Sequence, residues 1–338
     1  MNYRICGLFI QIIFISFWSN AQFADPMLLN PGSRTGFFGY ADLNNDGKED
    51  IFGYSGLQFF IYPGYEDGFD HLIIQPLSLT YSPDLENQDI NQDGYTDISL
   101  SSGYFPNVDF SLGDFITYPS IDASIPRTKL ADIDGDDIPD IVRFGLNSSS
   151  PSTCVFHIFR NTGSGEFELI NTFSATTNLS EYIRFIDMDA DGLDDIVYKS
   201  NDVVLYQRNS GDGIFEEGIV LTDEYSIPEI GDWNNDQKMD YANFTSTGIE
   251  VYFQTTPDSF ELIQQISLSE TTSPLTNFAY YPQVDYNGDG FIDLAMRSQD
   301  DRMHILQNDG TGVFSSTNTT NHPHLNNKFR WDDLNNDQ

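Results

Sequence analysis

Apolar residues along this chain fall in short runs rich in Val, Ile, Phe and Tyr, each bounded by Asp, Asn, Gly or Ser. Runs such as Asp140-Ile-Val-Arg-Phe144 and Asp195-Ile-Val-Tyr-Lys199 read as strands, because β-branched and aromatic side chains suit a pleated, packed surface. A second strand follows and closes in a Gly-rich turn and an aromatic residue, over Val155 to Phe167, Val204 to Phe215 and Ile305 to Phe314. The first unit varies this theme between Phe60 and Phe69. A further strand comes next, as at His71 to Ile74 or Phe260 to Ile266. With a short entry strand ahead of each acidic stretch, every unit holds four strands, and no segment sustains a helical period. The pattern predicts an all-β protein.

The acidic stretches repeat. Asp-x-Asp/Asn-x-Asp, usually followed by Gly and then Asp-Ile, begins at Asp42, Asp89, Asp132, Asp187, Asp232, Asp285 and Asp333. The intervals are 47, 43, 55, 45, 53 and 48 residues. Periods of about 20 to 50 residues mark solenoids, propellers or arrays, and turns of a parallel β-helix are about half as long. Four strands in each unit make a β-propeller blade. Blades are expected to start near residues 36, 83, 126, 181, 226, 279 and 327, within a domain spanning 22–338. The last loop stops at Gln338, so the expected ring is seven-bladed with its final blade truncated in this chain.

The loops have the chemistry of a calcium site. Calcium takes six to eight hard oxygen ligands in flexible geometry. Positions 1, 3 and 5 supply side-chain oxygens, Gly at position 6 permits a reversal that offers the position 7 carbonyl, and Asp at position 9 closes the shell. The candidate ligands are Asp42, Asn44, Asp46 and Asp50 in the first loop and Asp89, Asn91, Asp93 and Asp97 in the second. The third has Asp132, Asp134, Asp136 and Asp140, and the fourth Asp187, Asp189, Asp191 and Asp195. Asp232, Asn234, Asp236 and Asp240 form the fifth, Asp285, Asn287, Asp289 and Asp293 the sixth, and Asp333, Asn335 and Asp337 the incomplete seventh. About six Ca2+ ions are expected, with a seventh if the last loop is completed. An EF-hand is excluded: position 12 of the first loop is Gly53 rather than Glu, and strands flank it. Magnesium, which wants rigid octahedral geometry, fits less well. Counting carboxylates ranks the third and fourth loops strongest, and Gln237 at position 6 makes the fifth weakest, because Gln tolerates positive φ poorly.

Formal charge is -37, and 25 of the 52 acidic residues lie in the seven loops. The acidity is therefore already placed, and 48 aromatic residues spread along the chain argue against a disordered acidic tail. So negative a surface argues against direct binding of nucleic acid or anionic lipid. Residues 1–21 read as a signal peptide: Arg4, an apolar run from Ile5 to Trp18, then Ser19-Asn20-Ala21 at the cleavage positions. That run is interrupted by Gln11 and is shorter than the roughly 20 residues of a spanning helix. No later segment is apolar enough to span a bilayer, so the expected destination is secreted or cell surface. Removing the signal takes Cys6 with it and leaves Cys154 alone, expected to be a buried structural residue. Bound metal then stands where disulfides otherwise rigidify an exported domain.

These loops, with the Asn-x-Gly-x-Gly-x-Phe turns at Asn161 to Phe167, Asn209 to Phe215 and Asn308 to Phe314, resemble the FG-GAP and VCBS repeat family, whose blades also build integrin α-subunit propellers. The resemblance covers about residues 30–338 and implies a calcium-stapled propeller. The family's Phe-Gly and Gly-Ala-Pro pieces survive only as echoes at Phe38-Gly39 and Phe52-Gly53, so integrin-type ligand recognition is not implied. No Gly-x-Ser-x-Gly elbow, His-Glu-x-x-His or phosphate-binding Gly loop occurs, and histidines 71, 157, 304, 322 and 324 are scattered. The expected protein is not an enzyme but an adhesion or interaction module for an extracellular protein or carbohydrate. The alternative is the propeller of a polysaccharide-processing enzyme or lectin, with either site on loops opposite the metal edge, such as Gly145 to Thr153 and Thr271 to Tyr281.

Overall fold

A computed structural model describes residues 38–321, apart from 56–57, 66–67, 70–72, 77–84, 164, 178–181, 224–226, 246–247, 268–284, 286, 288 and 298–301. The signal segment, the stretch 271–281, histidines 71, 322 and 324 and the seventh loop lie outside the described residues. Within them the chain forms five four-stranded antiparallel sheets and one of three strands, with no helix among the described residues. Each of these six is a meander, as in a propeller blade, and in the first two a two-stranded hairpin, Gly64–Tyr65 with Gly68–Phe69 and Asn107–Val108 with Ser111–Leu112, intervenes before the last strand. The third blade runs Ser124–Ala131, Asp140–Asn147, Ser150–Asn161 and Phe167–Ala175. The fourth runs Ile183–Ile186, Asp195–Ser200, Val203–Gln207 and Ile219–Thr222. In the sixth, Leu294–Arg297, Arg302–Asn308 and Phe314–Asn321 are described.

Register fixes where each acidic loop sits. Position 9 is the first residue of the second strand and pairs with the last residue of the entry strand: Ala41 with Asp50, Gln88 with Asp97, Ala131 with Asp140, Ile186 with Asp195, and Gly231 with Asp240. Each of these five loops is therefore the connection between the first two strands of its blade. The Asn-Gly turns connect the third and fourth strands and lie at the same end of the blade.

The core lies between blades, sheet face against sheet face. Phe52, Phe59 and Ile61 of the first blade meet Ile98 and Leu100 of the second. Ile133, Phe144 and Phe156 of the third meet Ile196 and Tyr198 of the fourth. Trp233, Phe244 and Val251 of the fifth meet Leu294, Leu306 and Phe314 of the sixth. Position 2 of each loop contributes to this packing. Leu43, Ile90, Ile133, Met188 and Trp233 are all fully or almost fully buried. The residue between the first two acidic positions thus plugs the loop into the inter-blade core.

Cys154 is buried and reduced, donating its Sγ–H to the Thr177 carbonyl at 3.4 Å, as expected of a structural thiol. One expectation is revised. Gly145 to Thr153 is not an open loop: residues 145–147 and 150–153 extend the paired second and third strands of the third blade, leaving only a tight turn between them.

Candidate metal centre

Six loops share one internal hydrogen-bond scheme. The Oδ1 of position 1 accepts the position 5 N–H, at 3.1 Å in Asp42, Asp89 and Asp285, 3.2 Å in Asp132 and Asp187, and 3.0 Å in Asp232. Its Oδ2 accepts the position 6 N–H at 2.6–2.9 Å. Position 5 accepts from the position 7 N–H at 2.9–3.0 Å. Where position 3 is Asn, its Oδ1 also accepts the position 5 N–H, at 2.8–3.1 Å. Backbone donors therefore fix several side-chain oxygens in one turn.

This winding needs left-handed backbone at position 6. Gly47, Gly94, Gly192 and Gly290 adopt φ of 83, 90, 87 and 88°. Asp137 and Gln237 are forced into the same region, at 63 and 72°. The fifth loop nevertheless keeps the common hydrogen bonds, so Gln237 costs conformational energy without changing the geometry.

Position 9 is a tie as well as a candidate ligand. Asp50, Asp97, Asp140, Asp195, Asp240 and Asp293 are buried. In the first five loops Oδ2 accepts the N–H of position 2 at 2.8–3.2 Å. In all six Oδ1 accepts an N–H at the end of the third strand, from Gly64, Asn107, Asn161, Asn209, Gln254 or Asn308, at 2.7–3.0 Å. Burial pushes these carboxyls up, to about 6 in Asp50 and Asp97 and about 7 in Asp140, Asp195 and Asp240. The backbone donors oppose that shift and neighbouring loop carboxylates add to it.

Asn107, Asn161, Asn209 and Asn308 do more. Their Nδ2 donates across to the position 2 carbonyl of the preceding blade: Leu43, Ile90, Ile133 and Trp233, at 2.7–2.9 Å. It donates within the blade to position 8 as well, at 3.0–3.1 Å. The fifth blade has Gln254 there, and the Met188 carbonyl accepts instead from the Met239 N–H at 2.8 Å. Sequence reading found the turn motif but not this latch.

The donor set fits a divalent cation of calcium's hardness. Ligand oxygens of Asp132, Asp134 and Asp136, and of Asp187, Asp189 and Asp195, lie within 4.8 Å of one another. Asp134 Oδ1 and Asp189 Oδ1 are buried and have no hydrogen-bond partner. A buried carboxylate oxygen without a donor is costly unless a cation meets it. In the first two loops, by contrast, the position 3 carboxamide both accepts and donates a hydrogen bond within the loop.

His157 sits beside Thr172, Nδ1 to Oγ1 3.3 Å, and burial together with the nearby Arg143 charge lowers its pKa.

Residues 132–198, the third blade and the start of the fourth, match the FG-GAP-like repeat family. The fold is similar to an Agrocybe aegerita lectin described for specific recognition of non-reducing terminal N-acetylglucosamine, at TM-score 0.67 and 18% identity, covering 85% of this chain and 80% of the lectin. It is also similar to BBS1N, solved in complex with ARL6DN, at TM-score 0.53 and 9% identity over 87% of this chain and 85% of that one. Among curated protein sequences none is similar enough to count as a relative. Fold and repeat together define an all-β propeller. Within that fold, residues 132–198 carry an FG-GAP-like repeat.

Proposed function

We propose that this protein is a secreted or cell-surface, calcium-binding β-propeller that acts as an adhesion or interaction module for protein or glycan. The observation that supports it most is the hydrogen-bonded turn shared by six loops, with clustered carboxylates in the third and fourth and partnerless buried oxygens at Asp134 and Asp189. In this reading positions 1, 3, 5 and 9 hold the ion, and the ion offsets carboxylate repulsion. Each loop is tied to its blade through position 9 and to the core through position 2. Occupied loops therefore rigidify one end of the blades. The module carries no reaction of its own.

The lectin fold likeness makes a glycan ending in non-reducing N-acetylglucosamine the first ligand to try. A glycan array probed with and without Ca2+, beside a melting curve in each condition, tests both halves. At 100 times Kd each occupied site adds about 2.7 kcal/mol of stability. The expected result is a higher Tm with Ca2+ and calcium-dependent glycan binding. An unchanged Tm in chelator contradicts the calcium half; calcium stabilisation with an empty array leaves protein as the partner class.

A further inference from the structure

The third and fourth loops are unlike the rest in carrying Asp rather than Asn at position 3, and each faces an arginine. Arg160 Nε lies 2.5 Å from Asp134 Oδ2, and its second arm reaches Asp212 Oδ1 of the next blade, also at 2.5 Å. Arg208 sits 3.7 Å from Asp189 Oδ2 and 2.8 Å from Glu216. Both arginines occupy the same place, immediately before the latch residues Asn161 and Asn209. The equivalent residues in the other described blades are Pro63, Pro106, Phe253 and Gln307, all uncharged. Their loops have Asn44, Asn91, Asn234 and Asn287 at position 3. A cation thus stands before the latch only where position 3 is an acid.

The chemistry of the exchange is specific. In the first two loops the position 3 carboxamide donates through Nδ2 to the position 5 carboxylate at 3.1 Å and keeps Oδ1 turned inward. An aspartate has no such donor, and its charge repels the position 5 carboxylate. The guanidinium engages Oδ2 instead and leaves Oδ1 buried and partnerless. The Asp189 side chain is only 2% exposed, so its free oxygen has little access to water. Arginine plus carboxylate reproduces the charge and the inward oxygen of a carboxamide. With the arginine counted, positions 1, 3, 5 and 9 of the third and fourth loops present a net charge of minus three, as those of the first, second and sixth do, against the ranking by carboxylate count; in the fifth, Lys238 lies 3.8 Å from Asp236.

We infer that Arg160 and Arg208 are affinity-setting counter-charges that hold the Asp-type loops to the calcium affinity of the Asn-type loops. This rests on the calcium reading above. Removing the guanidinium leaves four uncompensated carboxylates, which raises attraction for a divalent cation by about tenfold at low salt.

The test is a Ca2+ titration of the full chain followed by hydrogen–deuterium exchange, reading the midpoint in the peptide over 132–140 with 187–195 and 232–240 as internal references. Arg160→Gln should shift the 132–140 midpoint about tenfold lower and leave the references unmoved. Asp134→Asn alone should weaken that loop, because the arginine then lacks its acid. Asp134→Asn with Arg160→Gln should return it to within about threefold of the natural chain. Arg208→Gln, read at 187–195, is an independent second variant if Arg160→Gln fails to fold. A calcium response at every loop with no shift, or a weaker site, in the arginine variants overturns this inference and leaves calcium binding intact. No calcium response at any loop of the natural chain overturns both.

Discussion

The Asn161 carboxamide donates to the Ile90 carbonyl at 2.7 Å, across 71 positions of sequence, and so joins the third blade to the acidic loop of the second. The same residue's backbone N–H donates to Asp140 at 2.7 Å, which in turn accepts from Ile133. One asparagine therefore ties its own loop and its neighbour's together.

Asn161→Ala removes the Nδ2 bonds to Ile90 and Pro139 and leaves a buried carbonyl without a donor. The expected cost is about 2–3 kcal/mol in urea unfolding at fixed Ca2+. Gln254→Ala in the fifth blade should cost less, because there Met239 already serves the neighbouring carbonyl. Equal losses at both positions would contradict the latch.

Position 9 and position 5 should separate in chelator. Asp140→Asn places an amide N–H2 against backbone donors that now face carboxylate oxygens, so it should destabilise by roughly 3 kcal/mol with or without Ca2+. Asp136 is exposed and serves one turn of backbone. Asp136→Asn should change chelator stability by less than about 1 kcal/mol while weakening calcium binding at that loop. Thermal unfolding in chelator, paired with calcium titration, reads both.

Gln237 holds φ of 72° where four other loops place glycine. Gln237→Gly should stabilise the protein by about 0.5–1 kcal/mol, since glycine reaches that region without a Cβ clash. The same change at Gly94 in reverse, Gly94→Gln, should destabilise by a similar amount. Denaturant midpoints check the pair.

Glu229 in the entry strand of the fifth blade is half-buried, and burial pushes its carboxyl up to about 7 with Arg184 opposing. A folded-state pKa above the unfolded value means the native protein holds the extra proton. Its stabilising share is present below pH 4.5 and is lost as pH rises towards 7. Glu229→Gln should therefore raise stability by roughly 2–3 kcal/mol at pH 8 and leave it unchanged at pH 4. Melting curves at the two pH values decide it.

Much of this architecture was legible in the residues. The spacing of Asp42, Asp89, Asp132, Asp187, Asp232 and Asp285 set the blade period, and β-branched runs such as Asp140 to Phe144 set the second strands. The apolar residue at position 2, from Leu43 to Trp233, drew no notice in the sequence, because its role depends on the inter-blade core. What stayed hidden were contacts between distant segments. Nothing local in Arg160 announces a partner at Asp134 or Asp212, and nothing in Asn161 points to Ile90. Carboxylate counting within a loop ranked the sites without the cation that the third strand brings alongside. Residues 145–153 looked unrepetitive because their hairpin is longer, not because they form an open loop.

Calcium stoichiometry tests the central claim most directly. Equilibrium dialysis of the full chain against buffered free Ca2+, with bound ions counted by atomic emission, is predicted to reach about six ions per chain, one for each complete loop. Saturation at one ion or none would contradict the account.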